Sequence, residues 1–165
     1  MKNQKAFTLI ELLIVIAIIS IIAGIVFVAL DPLTRFKDAR DSRRWADASA
    51  IMTAIKVSQI DNGGSYISAL TNSTTAGVVY MIGTSTTACN ATNCNTLVTS
   101  STACVDLSQL VTGGYLGTVP VSPNAANSTW SNGLSGYTVQ RASTTGIITV
   151  TACDHERAAS ISVTR

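Results

Sequence analysis

Lys5-Ala6-Phe7-Thr8-Leu9-Ile10-Glu11 opens directly into Leu12-Leu13-Ile14-Val15-Ile16-Ala17-Ile18-Ile19-Ser20-Ile21-Ile22-Ala23-Gly24-Ile25-Val26-Phe27-Val28-Ala29-Leu30. A short basic leader, with Lys2 and Lys5, runs into a long apolar segment that carries one acid near its start. About 20 consecutive apolar residues are enough to cross a bilayer as a helix. The acid is the anomaly, because an ionisable group in a membrane segment is costly and therefore points to function. A secretory signal has an apolar region of about 7–15 residues with its small-residue cleavage site behind it. Here the run is longer, and the small residue, Ala6, stands in front. A plain membrane anchor would fit the length but would have no use for Glu11.

The stretch Ala6-Phe7-Thr8-Leu9-Ile10-Glu11, with the apolar run to Leu30, resembles the class III signal of the type IV pilin superfamily. That superfamily includes type IV pilins and the pseudopilins of type II secretion. The resemblance implies that a prepilin peptidase cuts on the cytoplasmic face between Ala6 and Phe7, then methylates the new Phe7 amine. Ala6 stands where the family usually has Gly. It also implies that Glu11 pairs with the terminal amine of a neighbouring subunit, which selects that subunit and sets its axial register. Electrostatics agrees: a carboxylate leaving lipid for a packed bundle needs a cation, and breaking one side of a buried pair costs about 3–5 kcal/mol. The competing reading is Glu11 snorkelling to the headgroups from its place near the membrane face. The implied partners are further copies in a helical homo-oligomer, prepilin peptidase, the inner-membrane assembly platform with its ATPase, and membrane lipid before assembly.

The 165 residues suit one membrane segment and one domain. The net charge of +2 comes from the leader; without Lys2 and Lys5 the side chains balance to zero. No basic tail argues for nucleic acid as a partner, and the mixed-sign stretch Arg35, Lys37, Asp38, Arg40, Asp41, Arg43, Arg44 reads as a solvated helical face. Counting cations alone, those five against Lys2 and Lys5 would place the main domain inside the cell. The signal motif and the cysteines reverse this, giving an N-terminus inside and a domain outside. Cys89, Cys94, Cys104 and Cys153 are an even count in an exported domain, which favours two disulfides over zinc. Of the three connectivities, Cys89–Cys94 with Cys104–Cys153 is the expected one, closing a small loop and tying the C-terminal part to the middle.

Asp31-Pro32 reads as a cap with proline at the first helical position. From Pro32 to Ile60 the pattern is helical, and Asp61-Asn62-Gly63-Gly64 stops it. At about 1.5 Å per residue, Phe7 to Ile60 makes a rod of about 80 Å. Trp45, Ala48, Ile51, Met52 and Ile55 form one apolar face of its second half; Ala46, Ala50, Thr53, Ala54 and Val57 form a second face of small residues. A helix apolar nearly all round wants burial on both sides, so a small domain covers one face and neighbouring rods cover the other. Gly24 is the one breaker within the apolar run, and melting there on assembly stays open.

Beyond Gly64 the chain turns to Thr, Ser, Asn and Gly with sparse charge, as suits an exported β-rich head. Expected elements are a strand over Gly77–Ile82 and a short helix over Val105–Val111 ended by Gly113-Gly114. A hairpin of Tyr137–Arg141 with Ile147–Thr151 and an edge strand over Ser160–Val163 follow. The expected fold class is α+β and pilin-like: a long N-terminal helix, transmembrane half plus amphipathic half, on a small antiparallel sheet packed across Trp45, Ile51 and Ile55. The expected organisation is a cleaved leader 1–6, a transmembrane and filament-core helix 7–30, its continuation 31–62, and a globular head 63–165.

Leu110–Leu116 followed by Val119-Pro120 loosely resembles the major pseudopilin pattern before its calcium loop, but no Asp or Glu lies between Pro120 and Tyr137. Asn124, Asn127 and Asn132 offer neutral oxygens only, whereas hard cations usually take carboxylates. No metal or cofactor is expected, and the reading tilts from secretion pseudopilin toward pilin. Asn72-Ser73-Thr74, Asn90-Ala91-Thr92 and Asn127-Ser128-Thr129 match the glycosylation sequon. His155 lacks a nucleophile motif around it and there is no phosphate loop, so no enzyme is expected. The expected function is structural: a subunit of a type IV pilus-like filament, in the cytoplasmic membrane before assembly and at the cell surface after it. A secretion pseudopilin is the rival within the family. A membrane-tethered adhesive or DNA-uptake domain is the rival outside it.

Overall fold

The computed structural model describes residues 7–87, 89, 94, 98–99, 103–124 and 128–165. The chain divides into two units, meeting between Lys37 and Asp38. In the first, α1 spans Leu9–Leu30. None of its residues is buried, and its best window reaches a mean hydropathy of 3.3. Side chains so apolar on every face suit lipid or a bundle rather than water. Ser20 donates its hydroxyl to the Ile16 carbonyl at 2.7 Å, so even the one mid-helix hydroxyl is satisfied internally. Gly24 is helical, with no break in α1 around it.

The break comes at Asp31, whose φ of 37° and ψ of 74° are left-handed. Aspartate tolerates this region better than most residues. Pro32 then starts α2, Pro32–Asp61, at the position where its missing N–H costs nothing. The Thr34 hydroxyl donates to the Asp31 carboxylate and holds the new first turn.

The second unit begins at Asp38, within α2. The buried side of the helix carries Asp41, Arg44, Ala48, Ile51, Met52, Ala54, Ile55 and Ser58. Trp45 is 42% exposed, so the expected packing of the sheet across it is corrected. Arg44 takes the core-facing position one residue earlier, because anionic partners meet it there. At the end of α2, Asn62 N–H donates to the Ser58 carbonyl at 3.0 Å and Gly64 N–H to the Gln59 carbonyl at 2.8 Å. Gly63 is left-handed at φ 63°, as a helix-terminating glycine should be.

After α3, Ser68–Thr71, the strands are β1, Val79–Met81; β2, Tyr137–Arg141; β3, Ile148–Ala152; and β4, Ser162–Thr164. Helix α4, Ser108–Thr112, falls between β1 and β2. The four strands form one antiparallel sheet in the order β1-β2-β3-β4. Alternation along β3 buries Ile148, Val150 and Ala152 while Thr149 and Thr151 stay half-buried. These join Tyr137, Val139 and the α2 residues Ile51, Met52 and Ile55 in the main core, with Leu70, Leu107, Leu110 and Ile161. At about 25 cal/mol per Å² of apolar surface, that burial dominates the stability of the head. Gly136 cannot be replaced: its φ is 78°, and a Cβ there would lie 2.7 Å from the Trp130 ring.

The disulfides are Cys89–Cys104 and Cys94–Cys153, with Cα–Cα distances of 5.2 and 4.4 Å. The expected pairing of Cys89 with Cys94 and of Cys104 with Cys153 is therefore corrected. The reason lies in a contact between distant segments. Ile82 bridges Val105 in parallel, and Cys104 N–H donates to the Ser85 carbonyl at 3.0 Å. Cys104 is thereby laid beside the segment that leads to Cys89. Both bonds sit in a second apolar cluster with Met81 and Trp130.

Candidate functional site

Thr8 is the N-cap of α1, in extended conformation. Its N–H and its hydroxyl donate to Glu11 Oε2 at 2.8 and 2.7 Å, and its Oγ1 accepts from Glu11 N–H at 3.3 Å. This is a reciprocal capping box, which satisfies backbone donors otherwise orphaned at a helix start. It turns the Glu11 carboxylate toward the N-terminal end of the helix, beside Phe7, which is 81% exposed. Ala6 lies outside the described residues. The Thr-x-x-Glu spacing was legible as a capping box in the sequence, and this role of Thr8 is the residue assignment that the sequence reading missed.

A second constellation joins α2 to the segment after β3. Arg44 is fully buried. It donates to Asp41 Oδ1 at 2.8 Å, Ser122 Oγ at 3.1 Å, the Pro123 carbonyl at 2.9 Å and Glu156 Oε2 at 3.5 Å. Asp41 also accepts the backbone N–H groups of Glu156, Arg157 and Ala158, at 3.1, 2.8 and 3.0 Å. Arg40 grips Glu156 with both arms, at 2.6 and 2.8 Å. Arg157 reaches Asp38 at 2.8 Å from a half-exposed position. Read from sequence, this stretch was a solvated face; here Asp41 and Arg44 are corrected to buried members of a neutral network of two acids and two arginines. Partners more than a hundred residues away in the chain leave no local signal.

Burial pushes the Asp41 carboxyl up, but the backbone N–H groups of Ala158, Arg157 and Glu156, with the Arg44 guanidinium, outweigh it and hold the pKa below the usual range. The hydrogen bonds from Arg40 hold Glu156 low as well, against the burial that opposes them. Both folded values lie below the unfolded values, so both groups stabilise the head at neutral pH. That contribution is complete above the unfolded carboxylate pKa of about 4 and is lost as the pH falls through the folded values. Acid titration of the folded protein, followed by near-ultraviolet circular dichroism, should show a plateau at neutral pH and a loss of the head in acid. Asp41→Asn should flatten that loss.

Around this core, Tyr137 donates its hydroxyl to Asp47 at 2.8 Å, and burial together with that carboxylate raises its pKa. The buried Asp154 accepts from Trp130 Nε1 at 2.7 Å and from the Ser128 hydroxyl. In the loop before β2, Asn124 Oδ1 is engaged by Trp130 N–H at 2.7 Å; Asn127 lies outside the described residues. Among the described residues no group of three or more His, Cys, Asp or Glu side chains gathers as a metal site would. Of the sequons, only Asn72 is in a described position, and its Thr74 is buried with its hydroxyl on the Leu70 carbonyl at 2.6 Å.

Residues 1–27 match the prokaryotic N-terminal methylation motif. No curated protein and no solved structure matches the chain. The motif supports a type IV pilin- or pseudopilin-like protein, which would be a membrane-anchored precursor.

Proposed function

We propose that this chain is the structural subunit of a type IV pilus-like filament. Prepilin peptidase removes residues 1–6, cutting between Ala6 and Phe7, and methylates Phe7. The precursor sits in the cytoplasmic membrane with its N-terminus inside. An assembly platform and its ATPase then draw α1 out of lipid into a bundle of copies. Glu11 meets the Phe7 amine of a neighbour, and the head, residues 63–165, forms the outer surface.

The observation that carries this reading is α1 itself, apolar on every face, with no residue buried and a single carboxylate turned to its N-terminal end. A monomeric anchored domain would need the same helix but not that carboxylate. The loop before β2 favours a pilus over a secretion pseudopilus: it has no acid, and Ser122 and Asn124 are already engaged by Arg44 and Trp130.

Intact mass and N-terminal sequencing of material sheared from the cell surface test the proposal. The expected product starts at N-methylated Phe7, and peptide mapping without reduction returns Cys89–Cys104 and Cys94–Cys153. Mature chain confined to the membrane would favour the pseudopilus. Uncleaved chain starting at Met1 would sink both.

A further inference from the structure

Within the head, a groove of about 640 Å³ runs along one flank of α2, beside Arg43 and Asp47. Its opposite wall is α4 and the segment Thr118–Val121. Val111, Val119 and Pro120 give it apolar lining, and the exposed Asp106 lies at it. Arg43 is the cation of this lining and stands 3.8 Å from Asp47. Asp106 has no cation among the described residues, so the groove is apolar with a net negative charge. A further groove follows along the same helix, between Ser49–Val57 and Gly114–Leu116.

The first turn of α2 has the complementary character. Leu33 and Phe36 are 72% and 63% exposed. Arg35 and Lys37, which flank Phe36, are exposed and have no ion-pair partner among the described residues. In a membrane-anchored precursor this turn follows α1 directly, at headgroup level, where apolar and basic side chains are both at home. When α1 leaves the bilayer, the turn leaves with it. Its two large apolar side chains then face water unless another copy covers them. An aromatic anchor flanked by cations fits an apolar groove of negative charge, as interface cores and their charged surroundings commonly do.

We propose that the Leu33–Lys37 turn of one copy docks in the groove between α2 and α4 of a neighbouring copy. Phe36 enters against Val111, Val119 and Pro120, and Lys37 pairs with Asp106. The contact rests on the filament reading above, and its test separates the two. In cells making the full chain, Phe36→benzoylphenylalanine is irradiated in sheared filaments and the adducts are mapped. Adducts to residues 107–121 of another copy are expected; adducts confined to other segments overturn the contact. If that variant does not assemble, the charge pair decides. Lys37→Glu and Asp106→Lys should each lower sheared filament about tenfold, equivalent to about 1.4 kcal/mol, and the double variant should recover most of it. A double variant no better than the singles overturns the proposal. Wild-type mature chain that never leaves the membrane would instead remove the filament reading on which the contact depends.

Discussion

Glu11→Ala abolishes surface filament, while cleavage at Phe7, membrane insertion and folding of the head continue. That is the expected result, read from the sheared fraction and the membrane fraction of the same cells. Losing one partner of a buried ion pair costs about 3–5 kcal/mol, or more than two orders of magnitude in an association constant. The capping box complicates the alanine variant, since Glu11 also completes the start of α1 through Thr8. Glu11→Gln separates the two roles. Glutamine serves in a capping box as glutamate does, but it carries no charge for a neighbour's amine. It should therefore fail to assemble as completely as alanine does. Normal filaments from Glu11→Gln would mean that the carboxylate matters only to its own helix.

Arg44→Met gives the largest loss of stability expected in the head. The guanidinium is fully buried, and methionine restores part of the volume but none of the donors. Asp41, Glu156, Ser122 Oγ and the Pro123 carbonyl each lose a partner. Removing one side of such a buried pair destabilises by about 3–5 kcal/mol, a large fraction of the total for a domain of this size. Arg157→Ala is the control. Its pair with Asp38 is half-exposed, where the gain is about 0–1 kcal/mol. Urea denaturation of the detergent-solubilised chain, followed by near-ultraviolet circular dichroism, compares the two. If Arg44→Met unfolds no earlier than Arg157→Ala, the network is decoration on a head held by its apolar core alone.

The elements set by local patterns were legible. The apolar run, Asp31-Pro32, the Asn62-Gly63-Gly64 stop and the alternation of Tyr137–Arg141 and Ile147–Thr151 each carry a physical signature over a few residues. The structure returns α1, α2 and the hairpin of β2 and β3 at those places. What was not legible depends on distant partners. Trp45 and Arg44 are neighbours in sequence, and hydrophobicity alone assigns the tryptophan to the core. Ser122, Pro123 and Glu156, brought against α2 from far along the chain, make the arginine the buried one. The disulfides follow the same logic, because the parallel bridge of Ile82 with Val105 has no periodicity to announce it. At the N-terminus the limit is different: the three-residue spacing of Thr8 and Glu11 belongs to the signal motif and to a helix cap at once, and the motif masks the cap.

The ring of bonds around Asp41 also has a mechanical meaning. In the proposed filament a subunit would be pulled through its helix, and the head would have to bear that load without unravelling from its C-terminal end. Asp41 and Arg40 hold residues 156–158, only a few residues beyond Cys153, whose disulfide ties the chain back to Cys94. The polar fastening of α2 to the C-terminal segment therefore lies close along the chain to a covalent cross-link. Bonds sharing a load must rupture together, whereas a strand edge opens one bond at a time. The C-terminal segment is thus a clamp on the helix, set beside its apolar packing.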